Sequence, residues 1–223
     1  MIYVTGDVHG DVSRFRAAAR RLKKGDVLVV CGDFGLLWDG SKKEQRRLRR
    51  LARRRYTVAF LDGQHENYDL LAAYPEAEWN GGRVQQLAPN IVHLLRGELY
   101  TIEGKRCFAF GGGESESPEW RTQAGAGWEQ AVPTEEQLRG GMQTLERAGF
   151  AVDYVFTHEP SARVRTFFGP AADLTDGLGL YFNWVEQHTT FRHWYFGCIH
   201  KDKQLSRKYT ALFLQIRPVE DAP

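Results

Sequence analysis

Ile2-Tyr3-Val4-Thr5-Gly6-Asp7-Val8-His9-Gly10 is a short β-rich run that breaks at a glycine and delivers an acid and a histidine. Glycine permits a sharp exit from a strand and close backbone approach. Asp and His bring the oxygen and nitrogen donors that divalent transition metals prefer. The same grammar recurs along the chain. Gly32-Asp33-Phe34-Gly35 follows Val27 to Cys31, and Asp62-Gly63-Gln64-His65-Glu66-Asn67 follows Tyr56 to Leu61. Thr157-His158-Glu159 closes the run from Asp153, and Gly197-Cys198-Ile199-His200 follows His193 to Phe196. Singly, each cluster is ordinary turn chemistry or a satisfied structural histidine. In series, each after a strand, they describe a metal site assembled along one sheet edge.

Outward from these clusters, the first 61 residues alternate β-rich runs with helical stretches at Asp11 to Leu22 and Ser41 to Arg55. This β-α-β-α-β order predicts a largely parallel sheet, in which ligands gather at the carboxyl ends of strands. Ile91 to Leu95, Glu98 to Ile102 and Arg106 to Phe110 are joined by Arg96-Gly97 and Glu103-Gly104, which predicts an antiparallel meander and a second sheet. Gly111 to Gly127 predicts a long loop able to lid a site. Thr134-Glu135-Glu136-Gln137 is a capping box opening a helix to about Ala148. Helices are expected near Ser161 to Phe168 and Gly177 to His188, and a last strand over Tyr209 to Gln215. With 42% hydrophobic and 13% aromatic residues in 223, there is ample material for one core. The expectation is an α/β fold forming a single domain over 1–223: a four-layer α/β/β/α sandwich of two mixed sheets flanked by helices.

Cys31, Cys107 and Cys198 are odd in number and far apart, which fits neither a disulfide framework nor a zinc ribbon and points to a reducing compartment. No apolar run approaches the roughly 18 residues of a membrane span. The first strand follows Met1 directly, leaving no room for a signal peptide. A cytoplasmic protein without membrane contact is therefore expected.

The five clusters, in this order, resemble the calcineurin-like metallophosphoesterases. Their pattern is D-x-H, G-D, G-N-H-E or G-N-H-D, a strand-end His, and G-H-x-H, and the resemblance runs from Asp7 to His200. It implies that Asp7, His9 and His200 hold a first metal, that Asp33 bridges, that His158 holds a second, and that His65 is the catalytic histidine. Two cations about 3.5–4 Å apart would bind two phosphate oxygens and lower the pKa of a bridging water for in-line attack. A protonated His65 would serve the leaving oxygen, work suited to a group titrating near neutrality. The implied activity is metal-dependent hydrolysis of a phosphomonoester or phosphodiester, nucleotides and nucleic acid included. The implied cofactors are divalent ions of the Mn, Fe or Zn kind.

The chain departs from that pattern at two second-metal positions, where Gln64 replaces Asn and Cys198 replaces His. Gln64 is longer by a methylene, and Cys198 offers a thiolate on a shorter arm than imidazole. Either the second position keeps a softer ion such as zinc or iron, or it is weak. Glu159 and Glu66 are neighbouring carboxylates that could compensate. A weakened site would leave a second functional class, a metal-binding protein that recognises a phosphorylated ligand. The G-D-x-x-D-R-G and R-G-N-H-E signatures of protein Ser/Thr phosphatases are missing: Leu36 and Asp62 stand where Asp and Arg would lie.

Charge is uneven. The first 55 residues carry 15 Lys and Arg against 6 Asp and Glu, net +9, and the remainder is net −7. Most of the excess lies in Ser41 to Arg55 around a narrow stripe of Leu48, Leu51 and Ala52. Such a helix is an ordinary solvated face or, beside the metal site, a phosphate-backbone contact. Trp120 and Trp128 in the glycine-rich stretch are candidates either for contacting a base or other flat substrate or for burying the loop against the body, and Arg121, between them, for a phosphate clamp.

Overall fold

The computed structural model describes residues 1–113, 129–169 and 177–219. Four parallel strands form the centre of the first sheet: β1 (Ile2–Thr5), β2 (Val27–Val30), β3 (Thr57–Phe60) and β6 (Ile91–Leu94). The antiparallel hairpin β4 (Glu76–Trp79) and β5 (Gly82–Ala88) continues it on one side, and β13 (Arg217–Pro218) borders β1 on the other. The second sheet also has a parallel centre, of β8 (Lys105–Phe110), β9 (Tyr154–Thr157), β10 (His193–Phe196) and β12 (Tyr209–Ala211). Antiparallel β7 (Glu98–Ile102) and β11 (Lys203–Gln204) edge it.

Three apolar layers hold the sheets. Val4, Val29, Ala59 and Val92 of the first sheet meet Tyr100, Cys107, Tyr154, Phe156 and Tyr195 of the second in one buried layer. On the outer face of the first sheet, α1 (Val12–Ala18), α2 (Lys42–Leu51) and α3 (Tyr68–Ala72) bury Phe15, Ala18, Leu51 and Leu71 against Leu28, Val58 and Phe60. On the outer face of the second, α4 (Glu135–Arg147) and α6 (Gly177–His188) bury Leu145, Leu178, Phe182 and Val185 against Phe108, Val155 and Trp194. A short α5 (Ala162–Arg165) runs into a 3₁₀ turn at Thr166–Phe168. The sandwich is α/β/β/α, as the alternation of periods predicts. Among the described residues no helix is long and apolar enough to cross a membrane.

The helix starts are chemical. Asp11 accepts from the Ser13 N–H, Ser41 from the Glu44 N–H, and Thr134 and Gln137 close the reciprocal capping box. Helix α2 packs Leu51, with the partly buried Leu48 and the following Ala52, on the core, buries Glu44, and leaves Arg46, Arg49 and Arg50 exposed.

Two expectations fail locally. The meander breaks at Arg96-Gly97: β6 pairs in parallel with β3, whereas β7 begins the other sheet, so this turn is the crossover between layers. The last strand stops at Ala211 because the Asp202 carboxylate takes the N–H groups of Phe213, Leu214 and Gln215 and turns the chain. Register then sets the site. Thr5 is level with Val30 and Val30 with Phe60, while Thr157 is level with Phe110 and with Phe196. The exits of these strands lie at the carboxyl ends of the two parallel centres.

Candidate metal centre

Asp7, leaving β1, is 1% exposed, and its carboxylate is held by the Cys198 N–H, which donates to Oδ1 at 3.1 Å. His200 Nε2 lies 2.9 Å from Asp7 Oδ2, His9 Nε2 lies 4.0 Å from it, and the two imidazole nitrogens are 3.1 Å apart. Asp33, leaving β2, is also buried, and its Oδ2 is 3.9 Å from His9 Nδ1. The His65 ring approaches the same oxygen, with Nδ1 2.8 Å from Oδ2 and its centroid 5.6 Å from that of His9, and the His65 N–H donates to Oδ1 at 2.8 Å. His158, at the end of β9, faces both acids, 3.5 Å from Asp7 Oδ1 and 4.0 Å from Asp33 Oδ1. Strands of both sheets thus aim carboxylates and imidazoles at one place.

Tight turns make this convergence. His9, Asp33, Cys198 and His200 adopt φ of 47°, 43°, 56° and 52°, a left-handed conformation that is uncommon outside glycine and concentrates at functional sites. The preceding glycines leave room. A Cβ on Gly32 would stand 1.9 Å from His158 Nδ1, and one on Gly197 would stand 2.2 Å from Asp7 Oδ1. The strand-then-glycine grammar is therefore a packing requirement of the site itself.

Electrostatics follow from burial and charge. Burial alone would raise the Asp7 carboxyl, but His158 and His200 outweigh it and hold it well below the usual carboxylate range. Burial would lower His158, but Asp33 and Asp7 raise it to about 9. The hydrogen bonds to Asp33 and Asp7 raise His65 and His200 respectively, and burial lowers His9.

A divalent cation suits these donors. Asp7, His9 and His200 bring ligand atoms within 4.8 Å of one another, as do Asp7, Asp33 and His158, and as do His9, Asp33 and His65. The buried His158 Nε2 has no hydrogen-bond partner, an unsatisfied state that coordination would relieve.

At the altered positions, Gln64 Nε2 donates to Glu159 Oε1 at 2.7 Å, and Arg165 ion-pairs with the other oxygen of Glu159. His158, Glu159 and Cys198 form a further group with ligand atoms within 4.8 Å. Glu66 belongs to no such group among the described residues; its carboxylate accepts the N–H groups of Phe34 and Gly35 and braces the Asp33 turn. Asp62, though it sits inside a motif cluster, faces the interior, bound to His93, Arg96 and Tyr68. Arg121, Trp120 and Trp128 lie outside the described residues.

Sequence reasoning missed three supports. Buried Arg14 donates to the Asp7 carbonyl and fixes the β1 exit, and its place in the first turn of α1, just after the motif, is its only signal. His93 and Arg96 hold Asp62 from 31 and 34 residues away, and no local pattern announces them.

No curated protein matches the sequence. Among solved structures, the chain is similar to the phosphopantetheinyl hydrolase (PptH) of Mycobacterium tuberculosis at 13% identity and a TM-score of 0.52, covering 95% of this chain and 89% of that one. It is also similar to a putative 5'-nucleotidase from Staphylococcus aureus solved in complex with alpha-ketoglutarate, at 15% identity and a TM-score of 0.49, covering 95% of this chain and 48% of that one. A family model described as calcineurin-like phosphoesterase matches residues 1–205. With that match across nearly the whole chain, the fold and the order of the motifs agree, and the chain belongs to the calcineurin-like phosphoesterase family.

Proposed function

We propose that the protein hydrolyses a phosphate ester, mono- or diester, with one divalent cation held by Asp7, His9, Asp33 and His200 and a second held from Asp33 and His158. The observation that carries this reading is the meeting of two buried carboxylates, Asp7 and Asp33, with the imidazoles of His9, His65, His158 and His200 at strand ends of both sheets. Cations of the Mn, Fe or Zn kind suit such donors, and when bound they supply Lewis-acid polarisation of a phosphoryl oxygen and a water of lowered pKa.

The chain's own residues do the positioning. Arg14 on the Asp7 carbonyl and the Cys198 N–H on its carboxylate fix that acid before a ligand arrives. Glu66 does the same for the Asp33 turn. His65 is anchored through Nδ1 to Asp33, which leaves its other nitrogen to protonate a leaving oxygen, and its side chain is 54% exposed and open to substrate. Arg121 is the proposed phosphate clamp, on sequence grounds.

Comparing turnover of p-nitrophenyl phosphate with bis-p-nitrophenyl phosphate, each in manganese, zinc and iron, separates monoesterase from diesterase. Tight ion binding with no turnover of either ester would instead favour a receptor for a phosphorylated ligand. One observation supports a second reading, a polyanionic ligand held at the basic helix. A cavity of about 230 Å³ between α1 and α2 has Val12, Phe15 and Leu51 in its lining and four arginines, Arg16, Arg47, Arg50 and Arg54, around them.

A further inference from the structure

The two departures from the family pattern both lie beside the same carboxylate, that of Glu159. Gln64, one methylene longer than Asn, spends its amide N–H on Glu159 Oε1 at 2.7 Å. Cys198, shorter than His, lies with Glu159 and His158 in a group whose ligand atoms are within 4.8 Å of one another. Glu159 is 2% exposed and His158 1%. The His158 Nε2 is buried without a hydrogen-bond partner. A nitrogen, a carboxylate oxygen and a thiol sulfur thus face one another, and His158 also belongs to the group that contains Asp33.

We propose that His158, Glu159 and Cys198, with Asp33 as the bridge, hold the second cation, and that Gln64 positions Glu159 rather than binding the ion. This rests on the metal-dependent reading above and alters its second position. Glu159 supplies the oxygen that a shorter amide would have supplied, and Gln64 and Arg165, one on each oxygen, orient that carboxylate, as hydrogen-bonded outer partners do for ligating acids. The tight left-handed turn at Cys198, φ 56°, carries the thiol on the loop that also brings His200 to Asp7. A donor set of one sulfur, one nitrogen and two carboxylates selects zinc or cobalt over manganese or magnesium, because thiolate prefers the softer ion and lies about 2.3 Å from zinc.

The test loads the full chain with cobalt, counts ions by mass spectrometry and records the optical spectrum. Two ions per chain and a thiolate-to-cobalt charge-transfer band are expected. Cys198→Ser should abolish the band and keep one ion. Glu159→Gln should bring the count to one at cobalt concentrations that saturate the wild type. Gln64→Ala should weaken the second ion about 10- to 100-fold without changing the band. Two bound ions with no charge-transfer band overturn the inference, as does a Glu159→Gln chain that binds both ions as tightly as the wild type. One bound ion with no band overturns it too, while leaving the first centre intact. If no ion binds at all, the metal-dependent reading itself fails. The wild-type spectrum decides the outcome even if a variant does not fold.

Discussion

His65 Nδ1 lies 2.8 Å from Asp33 Oδ2, and the His65 backbone N–H donates to the other oxygen of the same carboxylate at 2.8 Å. One acid therefore orients the ring and its backbone together, and the hydrogen bond raises the His65 pKa. A cation on Asp33 would compete for that negative charge and withdraw part of the support for the imidazolium. Metal loading should accordingly lower the His65 pKa. Ring C–H resonances titrated by NMR with and without zinc would show it, and an unmoved midpoint would separate Asp33 from the cation.

His65→Ala should lower turnover by about 10²- to 10⁴-fold, the usual loss for a general acid, and leave the number of bound ions unchanged. Equal losses of metal and of rate would make His65 a ligand, a role its group with His9 and Asp33 also permits.

Gly197→Ala pushes a Cβ to 2.2 Å from both Asp7 Oδ1 and the Cys31 carbonyl oxygen. The expected cost is about 1–3 kcal/mol of overpacking, together with weaker binding of the first ion because Asp7 must shift. Gly104→Ala is the control: its φ is +72° with nothing within 4 Å, so it should cost only about 1 kcal/mol of backbone strain and leave metal affinity alone. Denaturant melts and metal titrations of the pair check both halves, and similar affinity losses in the two would refute the steric argument.

Asp62 is buried with Arg96, whose side chain is 6% exposed. Burial alone would raise the Asp62 carboxyl, but Arg96 and His93 outweigh it and hold it far below its ordinary value. A depressed carboxylate contributes stability that is full above its unfolded pKa, about 3.9, and is lost as pH falls through the folded value. Asp62→Asn leaves the buried Arg96 with its hydrogen bonds to Tyr68, Gln137 and the Gln130 and Ala131 carbonyls but without its carboxylate counter-charge, and should cost about 3–5 kcal/mol at neutral pH. That corresponds to a melting point lower by on the order of 10 °C. The variant should also lose part of the wild type's stability change in acid. A thermal scan that leaves the midpoint within a degree or two at pH 7 would contradict it.

The layered architecture was legible because the alternation of β-rich and helical stretches up to Leu61 dictates a parallel sheet, and because each ligand cluster directly follows a strand. The placement of Arg96-Gly97 was not, because periodicity marks the ends of β6 and β7 without saying which sheet each joins. Asn80-Gly81 carries a legible signal outside the motif clusters: its φ values of 51° and 85° fit a tight hairpin turn between β4 and β5, as Asn-Gly between short β-runs implies. Asp7, His9 and His200 were visible as strand-end donors because each follows its strand within a few residues, but their grouping on one ion came from the family resemblance and not from spacing. Glu159 could be suspected only as a neighbour, since its link to Gln64 depends on a separation of 95 residues.

The most direct measurement follows ester hydrolysis while ions are counted. The chain is stripped with a chelator and then given manganese, iron or zinc in steps, and the initial rate on bis-p-nitrophenyl and p-nitrophenyl phosphate is plotted against ions bound per chain. Hydrolysis of at least one ester should vanish on stripping and return as ions bind, with Asp7→Asn recovering neither. Hydrolysis that survives complete stripping, or a chain that fills both positions and turns over neither ester, would contradict the account.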